Sequence, residues 1–476
     1  MDLLRRKNIE ETIHASSKSQ LAKNLTSFDL ILIGLGNIIG TGVFLYTGLV
    51  AARQSGPSIM LSYAIAGIVC VLVSFAYAEL GSTIPTSGSV YSYSYIAFGK
   101  IFAWFAFGAM LLELMIASSV VAGSWSGYMT GLLESGGVQI PRSLTTIPSE
   151  GGIINLPAVI IIMFVGLIMY LGTKDSKKLN TFLVFSKIIA IATFVFVAIP
   201  HFNIEHWSNF APFGYGETMT GASMLFFAYT GFGTIVTAAE ETKDVKRSLT
   251  IGLVGSLSIA MIIYISVGGL LTGIVNYTQL DNAEPMAHAL RLCGSNIGSV
   301  IVAVGAIAGM TTVIMMNIYG ISRICYVVSR DNMLPNAISK VHPKFKSPAN
   351  AIIALCSIII LLAGFCPLPI LAQLSSMGAL IDYSMIVIIT MMFRRQYPDM
   401  KRAFKCPTLF VIGPVALVAA AYLLSKQILD VDFRLTTAGL ALFIVLSGHI
   451  LLYFIIQFFM KRCAKPECQN EKSNAH

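Results

Sequence analysis

The sequence predicts an all-α polytopic membrane protein of about twelve transmembrane helices, and three observations carry that reading. Apolar residues fill 55% of the 476 positions and charged residues only 12%, about half the charged share of a soluble globular chain. Apolar runs of about 20 residues, enough to cross a hydrocarbon core, begin near Phe28, Pro57, Ile101, Ile153, Thr181, Thr218, Leu249, Gly298, Ala351, Leu368, Leu409 and Leu435. The basic residues sort onto alternate loops, as membrane topology requires.

With the N-terminus inside, Arg5, Arg6, Lys7, Lys18 and Lys23 are cytoplasmic, as are Lys174, Lys177, Lys178, Lys243, Lys246 and Arg247. Arg330, Lys340, Lys344, Lys346, Arg394, Arg395, Lys401, Arg402 and Lys405 follow on the same side, and Lys461, Arg462, Lys465 and Lys472 complete it. The opposite loops hold Arg53, Arg142, Arg291, Lys426 and Arg434. The formal charge of +9 therefore reads as topology with both termini cytoplasmic, and not as a nucleic-acid surface. The first apolar run is too long and too late for a cleavable signal. Cys70, Cys325 and Cys356 fall inside spans and Cys406, Cys463 and Cys468 on the cytoplasmic side, which argues against a disulfide framework.

The first span, from Phe28 to Val50, contains Gly34, Gly36, Gly40 and Gly42. A lipid-spanning helix must satisfy its own backbone, so a span that invites unwinding belongs against a protein-lined cavity. The span from Thr218 repeats the pattern with Gly231 and Gly233. Five spans separate the two starts, which divides the chain into a cytoplasmic segment 1–27, a first repeat 28–200, a second repeat 217–393 of opposite orientation, two further helices in 407–461, and a tail 462–476. Paired Gly-interrupted segments at corresponding positions point to a midplane binding site. A single glycine such as Gly108 is better read as helix packing.

At these segments the chain resembles the amino acid/polyamine/organocation superfamily, and within it bacterial relatives of the cationic amino acid transporter family. The matching stretches are GNIIGTGVF (Gly36 to Phe44), YAELGSTIPTSGSVYSYSY (Tyr77 to Tyr95), FFAYTGF (Phe226 to Phe232), AAEETKD (Ala238 to Asp244), GAIAGMTT (Gly305 to Thr312) and ISRICYVVSRDNMLP (Ile321 to Pro335). The resemblance implies a LeuT-like five-plus-five inverted repeat with discontinuous helices 1 and 6, alternating access, and amino acid movement with protons. It implies the cytoplasmic membrane as location and leaves room for a small single-span membrane subunit as partner; it calls for no cofactor, metal or nucleic acid.

Physical chemistry supports the implied site. Amides freed at Gly40, Thr41 and Gly42 would receive a substrate carboxylate. Carbonyls freed at Ile39, Phe227, Ala228 and Thr230, beside Gly231, would accept from an α-ammonium. Lys187 lies about 10 Å into the fifth span at 1.5 Å per residue, and an intramembrane charge is a functional candidate. The resemblance places a lysine of this helix where sodium-coupled relatives hold an ion. Low dielectric disfavours a charged lysine, so Lys187 is expected to couple proton movement to transport, with carbonyls near Gly34 to Asn37 and the hydroxyls of Thr311 and Thr312 as neighbours.

Glu113 and Asp382 are further intramembrane carboxylates that would bind a cationic side chain or relay a proton, and Met316 and Asn317 would shape the pocket. Asp382 and Gly233 depart from the family pattern. Glu241 and Arg323 are expected to pair across the cytoplasmic mouth. The motif Gly34-x-Gly36-x-x-x-Gly40 lacks dinucleotide-loop spacing, His201-x-x-x-Glu205-His206 has one residue too many for a zinc hydrolase motif, and no constellation suggests an enzyme. Rival expectations are an amino acid or amine exchanger and a substrate-binding membrane sensor; the short ends of the chain count against the sensor.

Overall fold

The computed structural model describes residues 3–9, 25–86, 88–172, 176–239, 242–345, 347–429 and 434–463. Among them nine helical runs are long and apolar enough to cross a membrane, joined by three shorter apolar helices. Helix α1 (Ser27–Ile38) starts on a reciprocal cap: the Thr26 hydroxyl accepts from the Asp29 amide and the Asp29 carboxylate accepts from the Thr26 amide, which satisfies two otherwise orphaned donors. It stops after 12 residues. The chain resumes as α2 (residues 42–55), so the run from Phe28 to Val50 is interrupted at the glycine cluster. The remaining long elements are α3 (Ile59–Thr83), α5 (Lys100–Ser135), α7 (Ser176–Ala198), α10 (Val245–Ile274), α12 (Asn296–Arg330), α14 (Leu368–Gln396), α15 (Leu409–Ile428) and α16 (Thr437–Cys463).

Two expected spans come out short. Helices α6 (Leu156–Leu171) and α13 (Ala349–Phe365) have 16 and 17 residues, below the roughly 20 of a full crossing. Asn155 fixes the start of α6, its side chain accepting from the Ala158 amide and from Ser126. Between the long elements lie α4 (Ser89–Ala97), α8 (Gly214–Leu225, extended by a tight turn over Phe226–Tyr229), α9 (Thr234–Thr237) and α11 (Pro285–Leu292).

Lipid tails give helices no hydrophobic reason to associate, so packing and polar contacts hold them. Small residues supply the packing: a Cβ on Gly305 of α12 would lie 2.2 Å from that of Ala190 on α7. Gly108 packs against His449 of α16, in keeping with the packing role expected of it. There the Trp104 indole donates to the His449 carbonyl, the His449 ring bonds to the Trp104 carbonyl, and the two rings stack at 4.5 Å. Cys293 and Cys366 are free thiols.

Ion pairs join separate elements. Lys7 pairs with Asp331, and the Tyr91 hydroxyl donates to the same carboxylate. Glu79, with its side chain 2% exposed, receives Arg394 in a forked pair, Arg402 at 3.1 Å and the Cys406 amide at 2.8 Å. This one carboxylate ties α3 to α14 and to the loop before α15. Removing one member of a buried charge network strands the others. Glu79→Gln is therefore expected to cost about 3–5 kcal/mol, read as a large loss of thermal stability of the purified protein in detergent, whereas Arg53→Gln, in an exposed pair with Asp281, will move it by less than about 1 kcal/mol.

Candidate functional site

The two helix breaks meet at the centre of the bundle. At the first, Ile39 leaves helical geometry with ψ at 102°. At the second, Thr230 is extended with ψ at 157° and Gly231 takes φ at +89°. That left-handed value favours glycine. The breaks touch through Gly42, where a Cβ would lie 2.4 Å from that of Ala228. Here a side chain has no room.

The backbone groups released by the breaks find donors from neighbouring helices. Tyr264 of α10 donates its hydroxyl to the Ile38 carbonyl at 2.8 Å and to the Ala228 carbonyl at 3.0 Å, stitching one break to the other. Tyr63 of α3 donates to the Gly42 carbonyl and Tyr128 of α5 to the Phe44 carbonyl. Asn37 donates to the Gly231 carbonyl and to Thr234. The Gly231 amide donates to Glu113 Oε1 at 3.0 Å, which also accepts from Tyr383 of α14.

Lys187 is fully buried, and its Nζ donates to the carbonyls of Gly36 at 2.6 Å and Ile39 at 2.7 Å. It thus satisfies the last turn of α1 from behind. The expected threonine neighbours are engaged elsewhere: Thr311 donates to the Ile307 carbonyl and accepts from the Trp125 indole, and Thr312 donates to the Ala308 carbonyl. Both hydroxyls bond back to their own helix, the usual choice for a threonine inside an apolar span.

Between the breaks lies a cavity of about 20 Å³, lined by Asn37, Ile38, Gly40, Thr41, Gly42, Ala117, Val121, Phe227, Ala228, Thr230, Val313 and Asn317. It is closed down to about one water. Thr41 Oγ1 and Asn37 Oδ1 are buried there with no hydrogen-bond partner. No ionisable side chain lines it. Beyond it, a vestibule of about 410 Å³ is lined by Glu134, Glu150, Glu284, His288 and Leu368 among others. Burial, and then the nearby Arg291 cation, hold His288 below its ordinary value. Tyr46 touches a lining residue of each space: its hydroxyl reaches the Leu368 carbonyl at 3.4 Å and its ring packs on Phe227 at 5.4 Å.

Of the residues expected to hold substrate, Gly40, Thr41, Gly42, Phe227, Ala228 and Thr230 line the cavity. Ile39 and Gly231 stand behind it, their polar groups taken by Lys187, Asn37 and Glu113. The carbonyls expected as acceptors at Ile39, Phe227 and Ala228 already accept from Lys187, Thr230 and Tyr264 respectively. Asn317 lines the cavity, whereas Glu113, Met316 and Asp382 do not. Asp382 accepts from Tyr77 at 2.5 Å. Arg323 stacks on the ring of Tyr319 at 3.8 Å, and Glu241 lies outside the described residues. Sequence reading missed Asn37, Tyr63, Tyr128 and Tyr264. The available signal was that a buried carbonyl outside a helix demands a donor, and each of these is a polar side chain within an apolar run.

A family described as "Amino acid permease" matches residues 25–450. The methylthioribose transporter of Bacillus subtilis (strain 168) is 39% identical over 87% of this chain and 90% of its own length. The branched-chain amino acid permease BcaP of the same organism is 36% identical over 89% of this chain and 92% of its own. The chloroplastic cationic amino acid transporter 9 of Arabidopsis thaliana is 34% identical over 70% of this chain and 60% of its own.

The two glycines of the second break separate by geometry. Gly231→Ala puts a Cβ at positive φ and 2.6 Å from Asn37, which costs roughly 1–2 kcal/mol from the backbone alone and displaces the Asn37 bridge. Gly233 is right-handed at φ −58°, and its Cβ would first meet the Tyr77 hydroxyl at 3.3 Å. Thermal melts of the two variants are expected to show a clear loss for Gly231→Ala and a small shift for Gly233→Ala; equal shifts would contradict the left-handed geometry.

Proposed function

The chain belongs to the amino acid permease family of the amino acid/polyamine/organocation superfamily, and on that premise we propose that it is a proton-coupled symporter of neutral amino acids working by alternating access. The observation that carries the proposal is the convergence of two broken helices on one closed cavity, with Lys187 bonded behind the first break. The layout we infer is the LeuT-like one: repeats over 28–200 and 217–393, two appended helices within 407–461, and both termini on the cytoplasmic side of the plasma membrane. The sorting of basic residues onto alternate loops of the sequence supports that orientation.

In this reading the amides at the start of α2, around Thr41 and Gly42, receive the substrate carboxylate, because the first amides of a helix have no partner within it. The α-ammonium is held across the cavity at Thr230 and by Asn37 Oδ1, which has no partner among the described residues. The remaining wall is Ile38, Ala117, Val121, Phe227 and Val313 with one amide, Asn317. An isolated cationic side chain there would lack a counter-charge, and burying it unpaired is costly. The wall suits a small apolar side chain, in line with the name of the relative BcaP. Substrate needs more room than the closed cavity gives, so Tyr46 and Phe227 must part on the vestibule side during binding.

A second reading follows from the same wall. Its polar groups are uncharged donors and acceptors, which also fit a neutral polyol such as the one named for the methylthioribose relative. A panel of amino acids and one neutral thiosugar, read by thermal stabilisation of the purified protein, decides between them. Aliphatic amino acids are expected to stabilise, arginine and lysine not; stabilisation by the thiosugar alone would replace the amino acid reading. Strict dependence of uptake on a preloaded internal substrate would assign exchange instead of symport.

Lys187 donates to the carbonyls that α1 leaves open only in one arrangement of the break. Losing its proton weakens those bonds, so its charge and the position of α1 are linked. In proteoliposomes, Lys187→Ala is expected to abolish stimulation of uptake by an inward proton gradient. Lys187→Arg, always charged, should keep binding yet lose the gradient response. Gradient-stimulated uptake by Lys187→Ala at the wild-type level would refute the role.

A further inference from the structure

A second buried carboxyl stands unused by the site just described. Asp382 of α14 is 1% exposed; its Oδ2 accepts from the Tyr77 hydroxyl, and its Oδ1 has no hydrogen-bond partner among the described residues. No basic side chain forms an ion pair with it among the described residues. Glu113 is provided for differently, since its Oε1 collects both the Gly231 amide and the Tyr383 hydroxyl. Two donors suit an ionised carboxylate, whereas one donor and one bare oxygen suit a neutral acid in a low-dielectric interior. Two nearby carboxyls that shed protons in turn behave as one coupled pair.

The Tyr77 ring ties this acid to the second helix break. It packs edge-on against Phe232 at 5.4 Å and against Tyr383 at 5.8 Å, and its hydroxyl lies against the Gly233 backbone. The Phe232 ring also packs on Tyr383 at 4.7 Å. Any movement of residues 230–233 therefore shifts the lone donor on Asp382 and the donor set of Glu113 together. The titratable groups facing the pair are Tyr77 and Cys70 of α3, Tyr93 of α4 and Tyr383 of α14 itself. The turn over 226–232 presents the uncharged rings of Phe226 and Phe232 to Tyr383 and Tyr77, while its Tyr229 hydroxyl donates to the Tyr63 carbonyl.

We propose that Asp382 is a second proton-carrying group, neutral in this closed form and ionised when movement of the broken helix brings it further donors or water. The step is simple in balance: the carboxyl O–H bond breaks heterolytically, the proton passes to water, and the carboxylate keeps the electron pair. The use of that proton in transport rests on the symport reading above, while the protonation state itself does not.

Infrared difference spectra at neutral pH in deuterated buffer, wild type minus variant, test the state directly. A carbonyl-stretch band of an un-ionised carboxyl is expected in the wild type, lost in Asp382→Asn, retained in Glu113→Gln, and shifted to higher frequency in Tyr77→Phe, which removes only the hydroxyl that donates to it. A band lost in Glu113→Gln and kept in Asp382→Asn, or no carboxyl band in any difference spectrum, would overturn the assignment. In proteoliposomes Asp382→Asn should keep equal-concentration exchange while flattening the pH profile of gradient-driven uptake; an unchanged profile would remove Asp382 from coupling. Wild-type vesicles that take up no substrate would refute the symport reading and leave the infrared result to decide Asp382 alone.

Discussion

The structure depends on one constraint: a backbone carbonyl or amide freed inside a bilayer must find a partner in the protein, because lipid offers none. Breaking two helices at mid-depth releases several such groups at once. The Tyr264 hydroxyl, bonded to Ile38 and Ala228, answers two of them and so holds the breaks at a fixed distance. Lys187, Tyr63, Tyr128, Asn37 and Glu113 answer others, each from a different helix or from the opposite break. The spokes of the bundle are thus set by the hub. Residues that look like scattered polar intrusions in α3, α5, α7 and α10 share one purpose.

That constraint also explains what the sequence made legible. The location of both breaks follows from clustered glycine, which is a local signal. The first break was readable because Gly40, Thr41 and Gly42 stand together, and the second because Gly231 and Gly233 do. Which helix supplies each donor is a tertiary fact, and nothing local in the run around Tyr264 announces it. The bonding of Thr311 and Thr312 has the same origin: a hydroxyl on a helix has its own carbonyl four residues back as a competing partner, and both donate to it.

Glu113, Asp382 and Lys187 show why an intramembrane charge is a weak guide to substrate. Each was a candidate for contact with cargo or proton on the ground that burial is expensive. All three lie outside the cavity wall, and two of them, Glu113 and Lys187, spend their hydrogen bonds on the backbone of the breaks. Their charge is turned toward the parts that hold the shape of the site. On the proposed reading, a wall without ionisable groups leaves Val121, Val313, Phe227 and Asn317 to discriminate among side chains by size and polarity.

The two protonatable elements sit on the two different breaks. Lys187 serves the carbonyls of the first, and the Asp382, Tyr77 and Glu113 group serves the second through Gly231 and Phe232. A rigid bundle would need only one of them, since a single titration can bias a single two-state element. On the symport reading each break carries its own proton-sensitive latch, and the bonds that run between the breaks coordinate the two. Tyr264, bonded to the Ile38 and Ala228 carbonyls, is one such link, and Asn37 of α1, which donates to the Gly231 carbonyl, is another. Loss of the Tyr264 hydroxyl would leave each latch and the Asn37 link in place and so weaken the coordination without touching either proton site.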